Sequence, residues 1–145
     1  MRKIILSVLA GGMLLVAAPV TAQDSSYKLG PMWTASRIDV LDGQFENYLT
    51  YLMKTWRGNQ AFAKSQGWLL DYHILDNVNA RDGEPDIILL TRFKDFPSTA
   101  EIERRDKIFE ARMKQDAFAA DAASGARGAM RKQMGSILYR ELLPR

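Results

Sequence analysis

Residues 68–93, WLLDYHILDNVNARDGEPDIILLTRF, determine the fold, because they hold two extended segments on either side of a polar loop. Residues 68–75 alternate between two faces, which is typical of a β-strand, and residues 86–93 are dense in Ile and Leu, which indicates a strand buried on both faces. Asn, Asp, Gly and Pro crowd residues 76–85, as they do in turns. The segment is therefore predicted to be a β-hairpin with a long tip.

A long amphipathic helix is predicted before this hairpin, over residues 44–65. Its apolar side chains recur at helical spacing on one stripe, namely Phe45, Tyr48, Leu49, Leu52 and Trp56. Such a stripe is what a helix packed on a core requires, so we assign these residues to the core and not to a cofactor site. Gly58-Asn59 is expected to divide the helix in two.

A capping box marks the next helix, in the sequence Pro97-Ser98-Thr99-Ala100-Glu101. The Ser98 side chain is positioned to accept a hydrogen bond from the Glu101 amide, and the Glu101 side chain to reach back. An Ala-rich segment over residues 117–134 predicts a further helix, interrupted near Gly125.

Two more strands complete the pattern, at residues 32–41 and 136–142. Because the elements then alternate as β-α-β-β-α-β, the predicted class is α+β. The expected arrangement is ferredoxin-like, with a four-stranded antiparallel sheet, helices on one side and an extra helix before the last strand. The other side of the sheet is left open, and such a face commonly binds a partner.

Over residues 32–142 this pattern resembles the dimeric α+β barrel superfamily. The resemblance consists of the element order, the long first helix, the hairpin and the closing strand at residues 137–142. It implies a homodimer in which two sheets face each other around a small ligand or an active site. Members include monooxygenases, haem-binding and haem-degrading proteins and isomerases, so the fold by itself does not specify the chemistry.

The N-terminus predicts export. Arg2 and Lys3 precede an apolar run that ends near Val20, and a polar stretch follows Ala22. We expect residues 1–22 to be a signal peptide cleaved after Ala22, since the run is too short and too interrupted for a membrane anchor. The mature protein is then expected in the periplasm or outside the cell, with a flexible lead-in at residues 23–31 and one domain at residues 32–145.

The composition excludes several functional classes. Removal of 22 residues from 145 leaves 123, with 18 Lys+Arg against 17 Asp+Glu, because two of the 20 basic residues lie in the leader. A net charge of +1 gives no basis for nucleic-acid binding or for membrane binding after cleavage. The absence of cysteine excludes disulfides, a cysteine nucleophile and thiolate metal ligands.

Charged residues are expected to share the open face of the sheet with a few aromatic ones. The charged group comprises Arg37, Asp39, Asp71, His73 and Arg92; Trp33 and either Tyr72 or Tyr139 would line the same pocket. The leading hypothesis is a binding site for a small aromatic or anionic molecule, held by the two arginines. A structural ion-pair network or a hydrated dimer interface explains the same cluster equally well.

His73, the single histidine, is the basis of an alternative, enzymatic hypothesis. With Asp71 or Asp39 to orient it, His73 would serve as the general base of a cofactor-independent oxygenase or isomerase. One histidine argues against a zinc or iron site, which usually uses more, whereas haem needs a single axial ligand. We expect no metal and no cofactor. A third alternative is a structural or interaction protein without a ligand.

Overall fold

The computed structural model describes residues 24–145, so the predicted leader, residues 1–22, lies outside the described residues. The helices are α1 (Phe45–Tyr51), α2 (Arg57–Ser65), α3 (Thr99–Met113) and α4 (Ala117–Ala126). The strands are β1 (Tyr27–Val40), β2 (Asp71–Asp76), β3 (Ile87–Phe93) and β4 (Arg131–Pro144). A π-helical turn, Leu52–Trp56, joins α1 to α2, and a 3-10 turn, Arg127–Ala129, leads from α4 into β4.

The four strands form one antiparallel sheet in the order β2-β3-β1-β4. The predicted α+β class and the four-stranded antiparallel sheet are confirmed. The strand order is consistent with a ferredoxin-like arrangement, in which the hairpin strands β2 and β3 flank one side of β1 and the last strand flanks the other.

The core lies between one face of this sheet and the first helical segment. Ile38, Ile87 and Leu89 pack from the sheet against Tyr48 and Leu52, and Leu52 has no exposed surface. Each such aliphatic side chain stabilises the fold by about 1.5–3 kcal/mol relative to an exposed position. Tyr48, Leu49, Leu52 and Trp56 of the predicted stripe therefore attach the helix to the sheet. Phe45, which the pattern assigns to the core, is 39% exposed at the first residue of α1.

The first helical segment continues through Gly58, where the sequence predicted a break. Tyr48, Leu52 and Trp56 follow one another at a spacing of four, which is longer than the 3.6 residues of an α-helical turn. A π turn, closed between residues i and i+5, holds more residues, so it keeps this stripe directed at the sheet.

The predicted boundaries of the first and last strands are wrong, because β1 and β4 are both longer than predicted. β1 starts at Tyr27, so most of the predicted lead-in belongs to the sheet. The register shifts between Leu29 and Met32, where one residue more lies on β1 than on β4. Gly30 fits there because a Cβ would meet the Glu141 carbonyl oxygen at 3.0 Å. Gly-Pro at residues 30–31 thus forms a β-bulge inside the strand.

A second β-bulge explains why β4 starts earlier than predicted. The predicted helix at residues 117–134 and the predicted strand at residues 136–142 leave Gly135 between them, but it has a φ of 90° and lies within β4 at a register shift. A positive φ is favourable for glycine, so the chain passes through Gly135 without leaving the sheet. The last helix is correspondingly shorter than predicted, since α4 ends at Ala126 and residues 131–134 are in β4.

The remaining boundaries differ less. β2 starts at Asp71, and Trp68 lies outside the strand. Its ring packs edge-to-face on Phe62, with the two ring centres 5.7 Å apart. The predicted N-cap of α3 is confirmed, as Ser98 Oγ accepts a hydrogen bond from the Glu101 amide at 3.3 Å. The Glu101 carboxylate does not reach back, since it binds Arg104 and Arg105.

Candidate functional site

The open face of the sheet, opposite the core, is formed by three rows of residues that run across the strands. The first row is Asp71, Arg92, Trp33 and Tyr139. The second is His73, Leu90, Ala35 and Ile137, and the third is Leu75, Ile88 and Arg37. Strand pairing therefore brings charged and aromatic side chains from distant parts of the chain onto one surface.

Most residues that the sequence predicted for a site lie on this face. Arg37, Arg92, His73, Asp71 and Trp33 all occupy the rows, and Tyr139 joins them. Asp39 lies two positions beyond Arg37, opposite Lys132 at the end of the sheet.

Tyr72 is the exception among the predicted pocket residues. Its ring lies on the core side, where it meets Trp56 edge-to-face at 5.9 Å. The physical reason is that neighbouring residues of a strand point to opposite faces, so Tyr72 leaves the sheet on the face opposite to that of His73. Of the two tyrosines considered, Tyr139 is the one on the open face.

Arg92 is the centre of a compact group that we call the Arg92 cluster, made of Trp33, His73, Arg92 and Glu141. Arg92 Nη2 donates a hydrogen bond to Glu141 Oε2 at 2.7 Å, and the guanidinium lies 5.4 Å from the centre of the Trp33 ring. Trp33 Nε1 donates to the same carboxylate at 3.4 Å, and its ring stacks on His73 at 6.3 Å. The charge of Arg92 is thereby compensated within the chain.

Asp71 extends this group to the edge of the sheet. Its carboxylate accepts a hydrogen bond from Lys64 Nζ at 3.0 Å and lies 3.3 Å from His73 Nε2. The Lys64 hydrogen bond, helped by the backbone N–H of Tyr72, holds the pKa of Asp71 below its usual value of 3.8. The Asp71 carboxylate is thus shared between Lys64 and His73.

Glu141 is a site residue that sequence reasoning missed. It lies on β4, two residues after Tyr139, and strand alternation puts both on one face. That alternation was visible in the sequence. The pairing of β4 with β1, which brings Glu141 to Trp33 and Arg92, was not, because it joins residues more than ninety positions apart.

At the other end of the face Arg37 borders an open groove of about 470 Å³, which we call the open-face hollow. Its apolar surface comes from Ala35, Leu75, Ile88, Ile137 and Tyr139. Within residues 24–145 the Arg37 guanidinium makes no ion pair and no side-chain hydrogen bond. A half-buried cation beside apolar side chains is suited to an anionic group carried on an apolar body.

Two carboxylates at the rim of this hollow do not neutralise Arg37. Glu84 is bound by Arg81, whose Nε donates to Glu84 Oε1 at 2.8 Å. That hydrogen bond is the main cause that lowers the pKa of Glu84, and the charge of Arg37 contributes less. Asp76 belongs to the same alternating set as Tyr72 and Ile74, which face the core side.

Over residues 24–145 no group of three or more His, Cys, Asp or Glu side chains is placed to hold a metal ion. In the same part of the chain no helix combines the length and apolar content that a membrane span requires. Comparison of the chain with models of known families, with curated proteins and with solved structures finds no match.

Proposed function

We propose that this protein binds a small aromatic carboxylate in the open-face hollow, with Arg37 as the anion-binding residue. The observation that carries the proposal is the Arg37 guanidinium, which has no partner within residues 24–145 although it borders an apolar groove. A guanidinium forms strong, directional hydrogen bonds with a carboxylate, so it would orient such a ligand.

The size and lining of the hollow support this class of ligand. A volume of about 470 Å³ falls within the range of about 300–1,000 Å³ that small-molecule sites occupy. Tyr139 offers an aromatic ring on one side, and Ile88 and Ile137 offer aliphatic contacts. An aromatic body would bury apolar surface on these side chains while its carboxylate meets Arg37.

Binding of benzoate, compared with neutral benzamide, tests this proposal. We expect benzoate to raise the melting temperature by a few degrees at concentrations well above its Kd, because a ligand that binds only the folded state stabilises it. Benzamide should raise it much less, and Arg37→Gln should weaken benzoate binding at least tenfold in calorimetry. Arg57→Gln is the matched control, since it removes one exposed arginine from α2. Equal binding of benzoate by both variants would refute the role of Arg37.

We also propose that a second copy of the chain covers the open face and closes the hollow, as the superfamily resemblance implies. Apolar side chains stay exposed on this face, among them Leu75, Ile137 and Tyr139. Burying them against the same surface of a second copy across a two-fold axis would remove this exposure.

Substitution of two neighbouring residues of β4 distinguishes dimerisation through the open face from dimerisation through another surface. Tyr139 and Leu138 are similarly exposed, at 51% and 47%, but point to opposite faces of the sheet. In sedimentation experiments we expect Tyr139→Glu to convert a dimer into a monomer and Leu138→Glu to leave the dimer intact. A monomeric parent protein, or the reverse effect of the two variants, would contradict face-to-face pairing.

Export and cleavage after Ala22 remain part of the proposal. The support is the sequence pattern of residues 1–22. Expression of the full chain in a Gram-negative host, with fractionation and intact mass, tests it. The mature product should start at Gln23 and leave the cytoplasm, whereas an uncleaved cytoplasmic chain would contradict the proposal.

A further inference from the structure

A second hollow, of about 610 Å³, lies among the helices on the other side of the sheet, and we call it the helix-side hollow. Three helical segments line it, with Tyr51 and Thr55 from the first, Phe109 and Met113 from α3, and Ala117 and Ala120 from α4. Thr55 belongs to the π-helical turn, a feature that is frequent at functional sites. This hollow is separate from the open-face hollow and shares no lining residue with it.

Helix α4 faces the hollow with its small side chains and not with its large one. Phe118 is 87% exposed, whereas Ala117 and Ala120 line the hollow, and no residue of α4 is buried. A helix that served only to complete the core would direct its phenylalanine inward, because burial of a large apolar side chain stabilises and an unfilled space does not. The orientation of α4 thus leaves room for a molecule between the helices.

The charges around the helix-side hollow are mainly negative. Asp106, Glu110 and Asp121 line it, and within residues 24–145 none of the three makes an ion pair. Asp106 and Glu110 are one turn apart on α3, where like charges repel each other. Arg127 is the one cation among the described lining residues.

Arg127 is engaged by the protein through part of its guanidinium, while its Nε is buried without a hydrogen-bond partner among residues 24–145. Its Nη1 donates to the Ala123 carbonyl at 2.8 Å, and its guanidinium lies 4.8 Å from the centre of the Tyr51 ring. These contacts hold it at one end of the hollow, and one positive charge offsets only one of the three carboxylates. A positively charged guest would relieve the remaining imbalance.

We propose that the helix-side hollow binds an organic cation with an apolar body, such as an arylalkyl ammonium. Its ammonium group meets the carboxylates of Asp106, Glu110 and Asp121. Its apolar body packs on Phe109 and Met113, whose ring and thioether suit aromatic groups. The protein then has two sites that differ in the sign of the ligand they accept.

A matched pair of probes tests which sign of ligand charge the helix-side hollow accepts. Both probes are tested on the Arg37→Gln variant, in which the open-face site is disabled. We expect 2-phenylethylammonium to raise its melting temperature by a few degrees at saturation. The anion 3-phenylpropionate, which is similar in size and opposite in charge, should leave the melting temperature unchanged. The double substitution Glu110→Gln with Asp121→Asn should weaken binding of the ammonium at least tenfold. Equal effects of the two probes, or no effect of the ammonium at millimolar concentration, would overturn the proposal.

A matched pair of variants on α4 tests whether the ammonium probe binds in the helix-side hollow. Ala120→Leu extends a side chain into the hollow, and Ala119→Leu adds the same side chain to the same helix at a position that does not line it. We expect Ala120→Leu to abolish the shift caused by 2-phenylethylammonium and Ala119→Leu to preserve it. A shift that survives in Ala120→Leu, or that both variants lose while still folding by circular dichroism, would show that the probe binds elsewhere.

Discussion

The two arginines of the open face occupy different environments although they lie on the same surface of the same sheet. Arg92 is bound by Glu141 and lies 5.4 Å from the centre of the Trp33 ring. The side chains of Arg92 and Glu141 are 30% and 32% exposed. Arg37 lies beside an apolar hollow without an ion pair in the part of the chain that the structure describes. Residue type alone suggested the same role for both, and the difference shows that an arginine's partners determine whether it is available to a ligand.

The comparison divides the open face into two ends. We call the end around Arg92 the structural end and the end around Arg37 the receptive end. Around Arg92 the protein supplies its own counter-charges, which is the structural ion-pair network that the sequence left open. Around Arg37 it supplies apolar surface, and among residues 24–145 no side chain forms an ion pair or a hydrogen bond with the guanidinium. The predictions that follow compare the two ends, beginning with the largest expected effect.

Loss of the Glu141 carboxylate should destabilise the protein far more than loss of the Arg37 charge. We expect Glu141→Ala to lower the free energy of unfolding by about 1–2 kcal/mol, because it leaves the half-buried Arg92 without its hydrogen-bonded partner. Arg37→Gln should change it by less than about 0.5 kcal/mol. Urea unfolding of both variants measures this difference. If Arg37→Gln proves as costly, Arg37 has a structural role that its environment does not suggest.

Glu141→Ala should also convert the structural end into a receptive one. With Glu141 gone, Arg92 is left beside the Trp33 ring without an ion-pair partner, so a second benzoate is expected to bind. Calorimetry should then show two sites per chain instead of one, the new one weaker. Adding Arg92→Gln to Glu141→Ala should remove it, and a stoichiometry that stays at one would show that charge pairing is not what separates the two ends.

His73 tests whether the structural end takes part in chemistry. Under the binding proposal His73→Ala should leave the benzoate-induced rise in melting temperature within about 1 °C of the parent, because His73 does not line the open-face hollow. Under the enzymatic alternative the variant would lose turnover of a bound substrate. A large loss of benzoate binding in His73→Ala would contradict the division of the face.

The smallest effect concerns pH. Because Lys64 holds the pKa of Asp71 below 3.8, Asp71 contributes stability above pH 3.8, and this contribution is lost as the pH falls through the lowered pKa of the folded state. Asp71→Asn should therefore lower the melting temperature slightly at pH 7 and progressively less below pH 4. The side chain is 42% exposed, so salt should reduce the effect. A constant difference between pH 7 and pH 3 would contradict this account.

Local patterns predicted the parts of the fold that depend on neighbouring residues. The helical stripe around Tyr48 and Leu52 and the Ser98 cap were recognisable because each acts over a few positions. Gly30 falls in the predicted lead-in and Gly135 between a predicted helix and a predicted strand, but pairing between β1 and β4 makes both positions bulges within the sheet. Long-range pairing, which no local pattern encodes, decided these boundaries.

The same reason limited prediction of the candidate site. Alternation along single strands indicated which of Arg37, His73 and Arg92 could share a face. The partner of Arg92 and the hollow beside Arg37 depend on register between strands, which also brings Tyr139 into the hollow. The orientation of α4 could not be foreseen either, because its alanines and Phe118 carry no clear periodicity.

The pairing of the first strand with the last has a consequence for biosynthesis. β1 is an inner strand, and one of its two neighbours, β4, comes more than ninety positions later in the chain, at residues 131–144. The sheet is therefore incomplete until residues 131–144 have been synthesised, and contacts that join distant residues form slowly. A ribosome-bound or truncated chain that ends before residue 131 leaves one edge of β1 unpaired.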